Sequence, residues 1–293
     1  MTVNILQHNI IWGDVEANLR RLDALLESAG KADLYLLPEM FTTGFATLPD
    51  AVVERGEPCE GLRWMQRKAA ELDAAVAGSI ALEISRQARN DKADARNDKA
   101  DARNDNPDAR NNDFLSFRPS EASGEICVNR FYFVRPDGTY EHYDKRHLFG
   151  YGGEAARFSA GRQRVVVEWR GVRFLPAVCY DLRFPVWLRS RDDYDAILLV
   201  ASWPGIRRFA WDTLVRARAI ENACYVLAAN RVGSDPACEY DGGTALIGPF
   251  GETLAQAPDN QEAVICGEID LGHLADYHGK FPVLEDADDF ELK

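Results

Sequence analysis

The sequence has few of the patterns that bind metals or phosphates. Its six cysteines are scattered without a CxxC pair, and its five histidines form no HExxH motif. The glycine cluster GYGG at 150–153 lacks the Lys-Ser/Thr pair that completes a Walker-type phosphate loop. We therefore expect neither a catalytic metal nor a bound nucleotide cofactor.

Two further absences concern membranes and nucleic acids. No stretch approaches the roughly 18 uninterrupted apolar residues of a membrane span, and the first segment, MTVNILQHNIIWGD, lacks the basic and apolar regions of a signal peptide. The net charge of −13 argues against nucleic acid and anionic membranes as partners. Because scattered cysteines without a disulfide pattern are typical of a reducing compartment, we expect a cytoplasmic protein.

Apolar periodicity predicts strands that alternate with helices along a single domain, residues 1–293. A leucine stripe at 19–26 predicts a helix after a first strand at 3–7. Asp-Gly and Arg-Gly turn signals predict hairpins over 126–143 and 165–178, so we expect α/β packing with a mixed sheet. The other predicted strands are 33–37, 75–82, 196–201, 223–229, 244–247 and 263–269, and the other helices are 62–72 and 209–221, with one more starting near Pro185.

Residues 88–113 interrupt this pattern with a seven-residue repeat: ARNDKAD, ARNDKAD, ARNDNPD, ARNND. Nearly every position is polar, whereas a coiled-coil seam needs two apolar positions in each heptad. The charges alternate in sign and almost cancel. The pattern predicts a solvent-exposed insertion, a disordered loop or a frayed helix, between two strands. The alternative is a segment that docks a protein partner.

Three residues able to do chemistry each follow a predicted strand: Glu39, Lys145 and Cys179. If those strands are neighbours, their ends place the three side chains in one pocket. A thiol at neutral pH needs a base or a cation to become a thiolate, and Glu39 and Lys145 are of those two types. Lys145 and the backbone N–H of Tyr180 could then hold a tetrahedral oxyanion. Alone, each residue also fits a structural role: a packed thiol, a surface cap or a solvated lysine.

The residues around these positions resemble the nitrilase superfamily of carbon–nitrogen hydrolases. The matching stretches, in order, are LLPEMFTTGF (36–45), YDKRHLF (143–149), AVCYDLRFPVW (177–187), ASWP (201–204) and RARAIENACYVLAANRVG (216–233). The resemblance covers nearly the whole chain except the repeat. It implies a four-layer α-β-β-α sandwich with two mixed sheets. It also implies a homodimer built through outer helices, and catalysis without a cofactor.

The same resemblance implies roles for the site residues. Glu39 is expected as general base, Lys145 as oxyanion stabiliser and Cys179 as nucleophile. Glu154, in GYGGEAARFSAG, occupies the place of a second glutamate that supports the triad, by holding Lys145 or positioning the attacking group. The alternative for Glu154 is an exposed loop carboxylate.

Within the superfamily, FTTGF, YDKRHLF and CYDLRFP are most similar to the omega-amidases. Those enzymes act on omega-monoamides of short dicarboxylates such as 2-oxoglutaramate. Arg183 is then a candidate for the distal carboxylate, because a planar guanidinium binds a carboxylate through two hydrogen bonds. A structural ion pair is its alternative. The resemblance places Phe45, Ser202 and Trp203 along the pocket.

Other functions fit the same residues. Within the superfamily they are an N-carbamoyl-amine hydrolase, an amidase for a deaminated peptide and a true nitrilase. A papain-like mechanism would instead pair the thiol with His147 or His142. In a different class, the chain could be a non-catalytic scaffold that binds partners through residues 88–113.

Overall fold

The computed structural model describes residues 1–48, 51–85 and 125–291, so the repeat at 88–113 lies outside it. The described strands are β1 (Thr2–Gln7), β2 (Leu34–Leu36), β3 (Glu54–Arg55), β4 (Ala75–Ser85), β5 (Glu125–Val134), β6 (Tyr140–Asp144), β7 (Val167–Trp169), β8 (Val172–Val178), β9 (Ala196–Ala201), β10 (Tyr225–Asn230), β11 (Val232–Ser234), β12 (Glu239–Asp241), β13 (Ala245–Ile247), β14 (Thr253–Gln256) and β15 (Ala263–Glu268). The described helices are α1 (Val15–Ser28), α2 (Glu60–Leu72), α3 (Glu154–Arg157), α4 (Pro185–Leu188), α5 (Arg208–Asn222) and α6 (Leu271–Lys280).

Most of these strands form two mixed sheets. The first has the order β15-β1-β2-β4-β5-β6, with β3 paired to β4, and the second has the order β14-β13-β10-β9-β8-β7. In each sheet the central pairs are parallel and the outer pairs are antiparallel. Both predicted hairpins are present, as β5 with β6 and β7 with β8.

The two sheets pack face to face over a shared apolar core. Phe133 of the first sheet lies over Phe174 of the second, with ring centroids 6.0 Å apart. Every residue of β9 is buried, as is typical of a parallel strand that is covered on both faces. The core between the sheets therefore fixes their relative position, and with it the position of every group that their strand ends carry.

Helices cover the two outer faces and complete the four-layer α-β-β-α sandwich that the resemblance implied. The carboxylate of Asp14 caps α1 by accepting the N–H of Ala17 at 2.9 Å. The buried face of α1 includes Leu22, and that of α2 includes Trp64. Both side chains lie in the apolar cluster between these helices and the outer face of the first sheet. On the opposite side, α5 packs against β10 and β13. The fold class is thus confirmed. No helix in the described ranges is long and apolar enough to cross a membrane.

Several elements differ from their predicted form. Residues Cys179–Arg183 form a short 3-10 helix, and the helix predicted to start near Pro185 has only four residues. Four short strands, β3, β11, β12 and β14, were outside the predictions because two to four residues are too few to show alternation. These differences leave the strand ends where the pattern placed them.

Candidate active site

The site is centred on the buried ammonium of Lys145, which follows β6 directly. Its Nζ donates to Oε1 of Glu39 at 2.9 Å, and to Oε1 and Oε2 of Glu154 at 3.0 and 2.8 Å. All three side chains have an exposed fraction of 0%. The structure therefore brings together Glu39, Lys145 and Glu154, three of the residues that the sequence singled out.

Asn129, which the sequence analysis missed, links the two carboxylates. Its Nδ2 donates to Glu39 Oε1 at 2.8 Å and to Glu154 Oε1 at 3.1 Å. Its backbone carbonyl accepts the N–H of Lys145 at 2.9 Å. The only signal in the sequence is one amide residue within the apolar and aromatic strand EICVNRFYFV, which points to a buried polar partner.

A neighbouring ion pair supports the register that aligns Asn129 with Lys145. Arg130 and Asp144 are cross-strand partners in β5 and β6. The guanidinium donates to the two carboxylate oxygens at 2.7 and 3.0 Å. Because side chains alternate along a strand, this pair lies on the opposite face from Asn129. A slip of one residue would break the ion pair and move Asn129 away from the carboxylates.

The second sheet supplies the other half of the site. Ser202, directly after β9, donates its backbone N–H to Oε2 of Glu39 at 2.8 Å. The next residue, Trp203, is held by Asn230, which accepts its N–H at 2.8 Å and donates to its carbonyl at 3.0 Å. Ser202 thus contacts Glu39, and its predicted contact with substrate stays a prediction.

Cys179 lies at a strained bend immediately after β8. Its φ is +47°, and a non-glycine residue in this left-handed region costs roughly 1–3 kcal/mol. The buried carboxylate of Asp181 holds the bend by accepting the N–H groups of Val178 at 3.0 Å and of His147 at 2.9 Å, and the hydroxyl of Tyr143 at 2.8 Å. Strain that is maintained in this way aims the side chain and is common at functional sites.

His147 contacts the turn that follows Cys179. Its Nδ1 lies 2.8 Å from Asp181, and its ring stacks on Phe184 with centroids 3.8 Å apart. His147 is therefore positioned as a support for the 3-10 turn. His142 lies in β6, where its ring contacts Tyr132. This geometry favours the Glu–Lys–Cys constellation over a Cys–His pair.

Burial controls the electrostatics of the site. Burial by itself opposes the charged form of Lys145, but the carboxylates of Glu154 and Glu39 outweigh it and raise the lysine pKa. Burial raises the pKa of Glu154; Glu39 adds to that rise, and Lys145 opposes it. The lysine is therefore held as an ammonium that two carboxylates share.

The thiol is neutral at rest. Burial raises the pKa of Cys179 well above its ordinary value, and the carboxylate of Glu39 raises it further. Lys145 and the N–H of Ser202 act in the opposite direction without overcoming burial. Lys145 favours the thiolate, as the sequence analysis expected, but a thiolate is absent until another group takes the proton.

A row of aromatic side chains begins beside the charged cluster. Lys145 Nζ lies 5.7 Å from the ring centroid of Phe45, which is 6.5 Å from that of Phe149. The Phe149 ring is in turn 5.1 Å from that of Tyr180. The guanidinium of Arg183 lies 4.8 Å from the ring of Trp203, and no carboxylate in the described ranges forms an ion pair with it. The structural ion pair considered for Arg183 therefore finds no partner there.

Comparison with known proteins places the chain in a family. The family model for carbon-nitrogen hydrolases matches residues 2–103 and 113–278. The chain belongs to the carbon–nitrogen hydrolase family. The resemblance to the nitrilase superfamily is confirmed, and the protein is an enzyme that hydrolyses carbon–nitrogen bonds.

The hydrolase is similar to individual relatives over nearly its whole length. It is 41% identical to the omega-amidase YafV of Escherichia coli, over 100% of this chain and 98% of the relative. It is 30% identical to the 2-oxoglutaramate amidase of Bacillus subtilis, over 97% and 96%. A solved CN-hydrolase superfamily protein from Xanthomonas campestris, which has an arsenic adduct in its active site, is 37% identical with a TM-score of 0.82, covering 100% of this chain and 99% of that one.

The Asn129 amide generates a first prediction. Asn129→Asp replaces the N–H donor that Glu39 and Glu154 share with a third carboxylate, so repulsion moves the carboxylates apart and misplaces the ammonium that they hold. We expect kcat/KM for amide hydrolysis to fall by about 100-fold or more at neutral pH. We also expect the free energy of unfolding, measured in urea, to fall by about 2–4 kcal/mol, because a buried charge is left uncompensated.

The matched control is Asn260→Asp, which adds the same charge at an exposed position. It should leave both the rate and the urea midpoint unchanged. Wild-type turnover in Asn129→Asp would show that the amide does not organise the carboxylates.

The neutral thiol generates a second prediction. The rate of Cys179 alkylation by iodoacetamide, followed by peptide mass spectrometry, should still be rising with pH above pH 9, because the raised pKa delays thiolate formation. Glu39→Gln removes a charge that raises this pKa, so the profile should move to lower pH. The exposed Cys266, followed in the same digests, should be unaffected. A Glu39→Gln profile displaced to higher pH would contradict the arrangement.

Proposed function

We propose that this hydrolase is an omega-amidase, which hydrolyses the terminal amide of a short dicarboxylate monoamide such as 2-oxoglutaramate. The observation that carries the proposal is the buried cluster of Glu39, Lys145 and Glu154 beside the Cys179 bend. Full-length similarity to an omega-amidase and to a 2-oxoglutaramate amidase supports the substrate class. Cys179 is the nucleophile, Glu39 the general base and Lys145 the oxyanion stabiliser.

The first half-reaction forms a thioester. Glu39 takes the proton of Cys179 as the sulfur attacks the amide carbon, because the high thiol pKa disfavours a thiolate formed in advance. The Lys145 ammonium and the Tyr180 N–H donate to the developing oxyanion, and losing one such donor typically costs about 3 kcal/mol. Glu39 then gives its proton to the leaving nitrogen. The carbon–nitrogen bond breaks, and ammonia leaves.

The second half-reaction regenerates the thiol. Glu39, ionised again, removes a proton from water as the oxygen attacks the thioester carbon. A second tetrahedral oxyanion forms at the same donors. It collapses with cleavage of the carbon–sulfur bond, and the sulfur recovers its proton from Glu39. Throughout, Glu154 supports the reaction by holding the ammonium of Lys145 in place.

The remaining predicted residues serve substrate binding in this proposal. Arg183 binds the distal carboxylate, because its guanidinium has no ion-pair partner among the described side chains and lies on the ring of Trp203. Phe45 and Trp203 line the pocket, and Ser202 closes it beside Glu39. Such a site accepts an extended chain that carries an amide at one end and a carboxylate at the other.

We also propose that the enzyme acts in the cytoplasm as a homodimer. Two apolar side chains are almost fully exposed: Ile206, in the 3-10 turn before α5, at 91%, and Phe209, in the first turn of α5, at 86%. Val186 on α4 and Ile220 on α5 are about half exposed, at 53% and 50%. Association through these two helices would cover an apolar surface that water otherwise contacts.

The dimer has a direct test. Light scattering should give twice the 32.8 kDa chain mass, and Phe209→Asp should lower it because a carboxylate would be buried in the interface. Val52→Asp, at a 41% exposed apolar residue on a loop, is the control that should leave the mass unchanged. A wild-type mass of one chain would exclude the homodimer.

The catalytic proposal is tested by ammonia release. Wild-type enzyme should release ammonia from 2-oxoglutaramate, and Cys179→Ala should lower kcat by at least about 10⁴-fold with an unchanged circular dichroism spectrum. Cys266→Ala, the matched control at an exposed cysteine, should keep the wild-type rate.

A substrate panel separates the alternatives. Turnover of ureido compounds alone would assign an N-carbamoyl-amine hydrolase, and turnover of nitriles alone a nitrilase. Absence of turnover on every amide, ureido compound and nitrile tested would favour the scaffold. Activity that survives in Cys179→Ala would exclude the thioester mechanism.

A further inference from the structure

A second arginine, Arg207, contacts an aromatic ring beside the site, and the reaction as described does not use it. Arg207 ends the 3-10 turn Gly205–Arg207, which follows the Ser202–Pro204 segment. Its guanidinium lies 5.3 Å from the ring centroid of Phe149. The side chain is half-buried, and no described carboxylate or carbonyl accepts a hydrogen bond from its guanidinium.

Two other arginines near the site, unlike Arg183 and Arg207, have partners in the described ranges. Arg208, the next residue, pairs with Asp212, Asp241 and Asp259. Arg157, below the Phe45 loop, donates to three backbone carbonyls. The chain carries 47 acidic against 34 basic residues, so acids are plentiful. A half-buried guanidinium that has no acidic partner among the described residues is available to the anionic group of a ligand.

The backbone of Arg207 is fixed to the same tryptophan that Arg183 covers. Trp203 Nε1 donates to the Arg207 carbonyl at 2.9 Å, while the Arg183 guanidinium lies on the Trp203 ring. Asn230 holds the backbone of Trp203 in turn. One rigid residue therefore positions both arginines.

The ring under Arg207 leads back to the reacting groups. Phe149 contacts Tyr180, the residue after the thiol, and Phe45, the residue beside Lys145. Its backbone N–H also donates to Glu154 Oε2 at 2.6 Å. Arg207 therefore contacts a ring that packs against the residues beside the thiol and the lysine, while Arg183 contacts Trp203, next to Ser202.

We propose that Arg207 is a second specificity-determining residue, which binds the 2-oxo acid end of the substrate together with Arg183. The inference rests on the proposed omega-amidase function. A carboxylate fills the two-pronged fork of one guanidinium, and the adjacent 2-oxo group adds a third acceptor oxygen that this fork cannot reach. A second guanidinium supplies the donor for that oxygen. The preferred substrates are therefore monoamides of 2-oxo dicarboxylates, ahead of the same acids without the oxo group.

The test compares three five-carbon amides: 2-oxoglutaramate, glutaramate, which lacks the oxo group, and pentanamide, which lacks both the oxo group and the carboxylate. Arg207→Met should lower kcat/KM for 2-oxoglutaramate by about 10- to 100-fold, mainly through KM, since a lost charge-assisted hydrogen bond costs that much. The loss for glutaramate should be smaller, and the rate with pentanamide should stay within about twofold. Arg207→Lys, which keeps the charge and loses the fork, should be intermediate.

Two further variants sharpen the comparison. Arg20→Met makes the same change on α1, where Arg20 pairs with Glu16 on the surface, and should leave all three substrates unaffected. Combining Arg207→Met with Arg183→Met should cost less than the two single losses added together, because both arginines hold one group.

The outcomes distinguish this inference from the proposed function. A wild-type enzyme that hydrolyses pentanamide but neither acid would overturn both. A wild-type enzyme that hydrolyses 2-oxoglutaramate, with its preference over pentanamide unchanged in Arg207→Met, would overturn the role of Arg207 alone. An equal loss on all three substrates would also overturn that role, because it would mean that Arg207 only stabilises the loop.

Discussion

The geometry of the candidate site depends on one buried lysine that two carboxylates share. Replacing such a cluster by apolar residues can be neutral for stability, but removing one partner typically costs about 3–5 kcal/mol, because the remaining charge is left without compensation. Two carboxylates against one ammonium leave an excess negative charge, and the donors of Asn129, Ser202 and Phe149 are aimed at it. The cluster therefore requires hydrogen-bond donors around its carboxylates, and backbone and amide N–H groups supply them.

Each member of the cluster comes from a different part of the fold. Glu39 and Lys145 follow strands of the first sheet, whereas Cys179 and Ser202 follow strands of the second. Their spacing is therefore set by the apolar core between the sheets and by the register within each. The core places the two sheets, and the Arg130–Asp144 pair supports the register of β5 with β6. The packing between the sheets therefore sets the distances within the site, since a shift of about 1 Å between the sheets would separate Glu39 from Cys179.

The sequence predicts this site well where chemistry coincides with a strand end, and poorly elsewhere. Glu39, Lys145 and Cys179 stand where an apolar run stops, a signal that periodicity detects. Asn129 lies in the middle of a strand, and Asp181 inside a turn, so neither position is marked. Their function depends on which atoms lie across from them in space, and spacing along the chain carries no information about that. The same reason explains the short strands that were missed, which are defined by their partners and not by their own pattern.

The neutral thiol and the buried cluster fit together as a way to avoid creating charge in the protein interior. Under the proposed mechanism, the proton of Cys179 moves to Glu39 as the sulfur attacks, so a carboxylate becomes neutral while the negative charge appears on the substrate oxygen. The total charge around Lys145 is therefore the same before and after the proton transfer. Burial raises the thiol pKa because it penalises a new charge, and this transfer adds no net charge to the interior. The ammonium then faces the oxyanion of the tetrahedral intermediate in place of one carboxylate, with the donors already oriented. A thiol that is unreactive at rest and activated by relocating an existing charge is thus a direct consequence of placing these groups between two sheets.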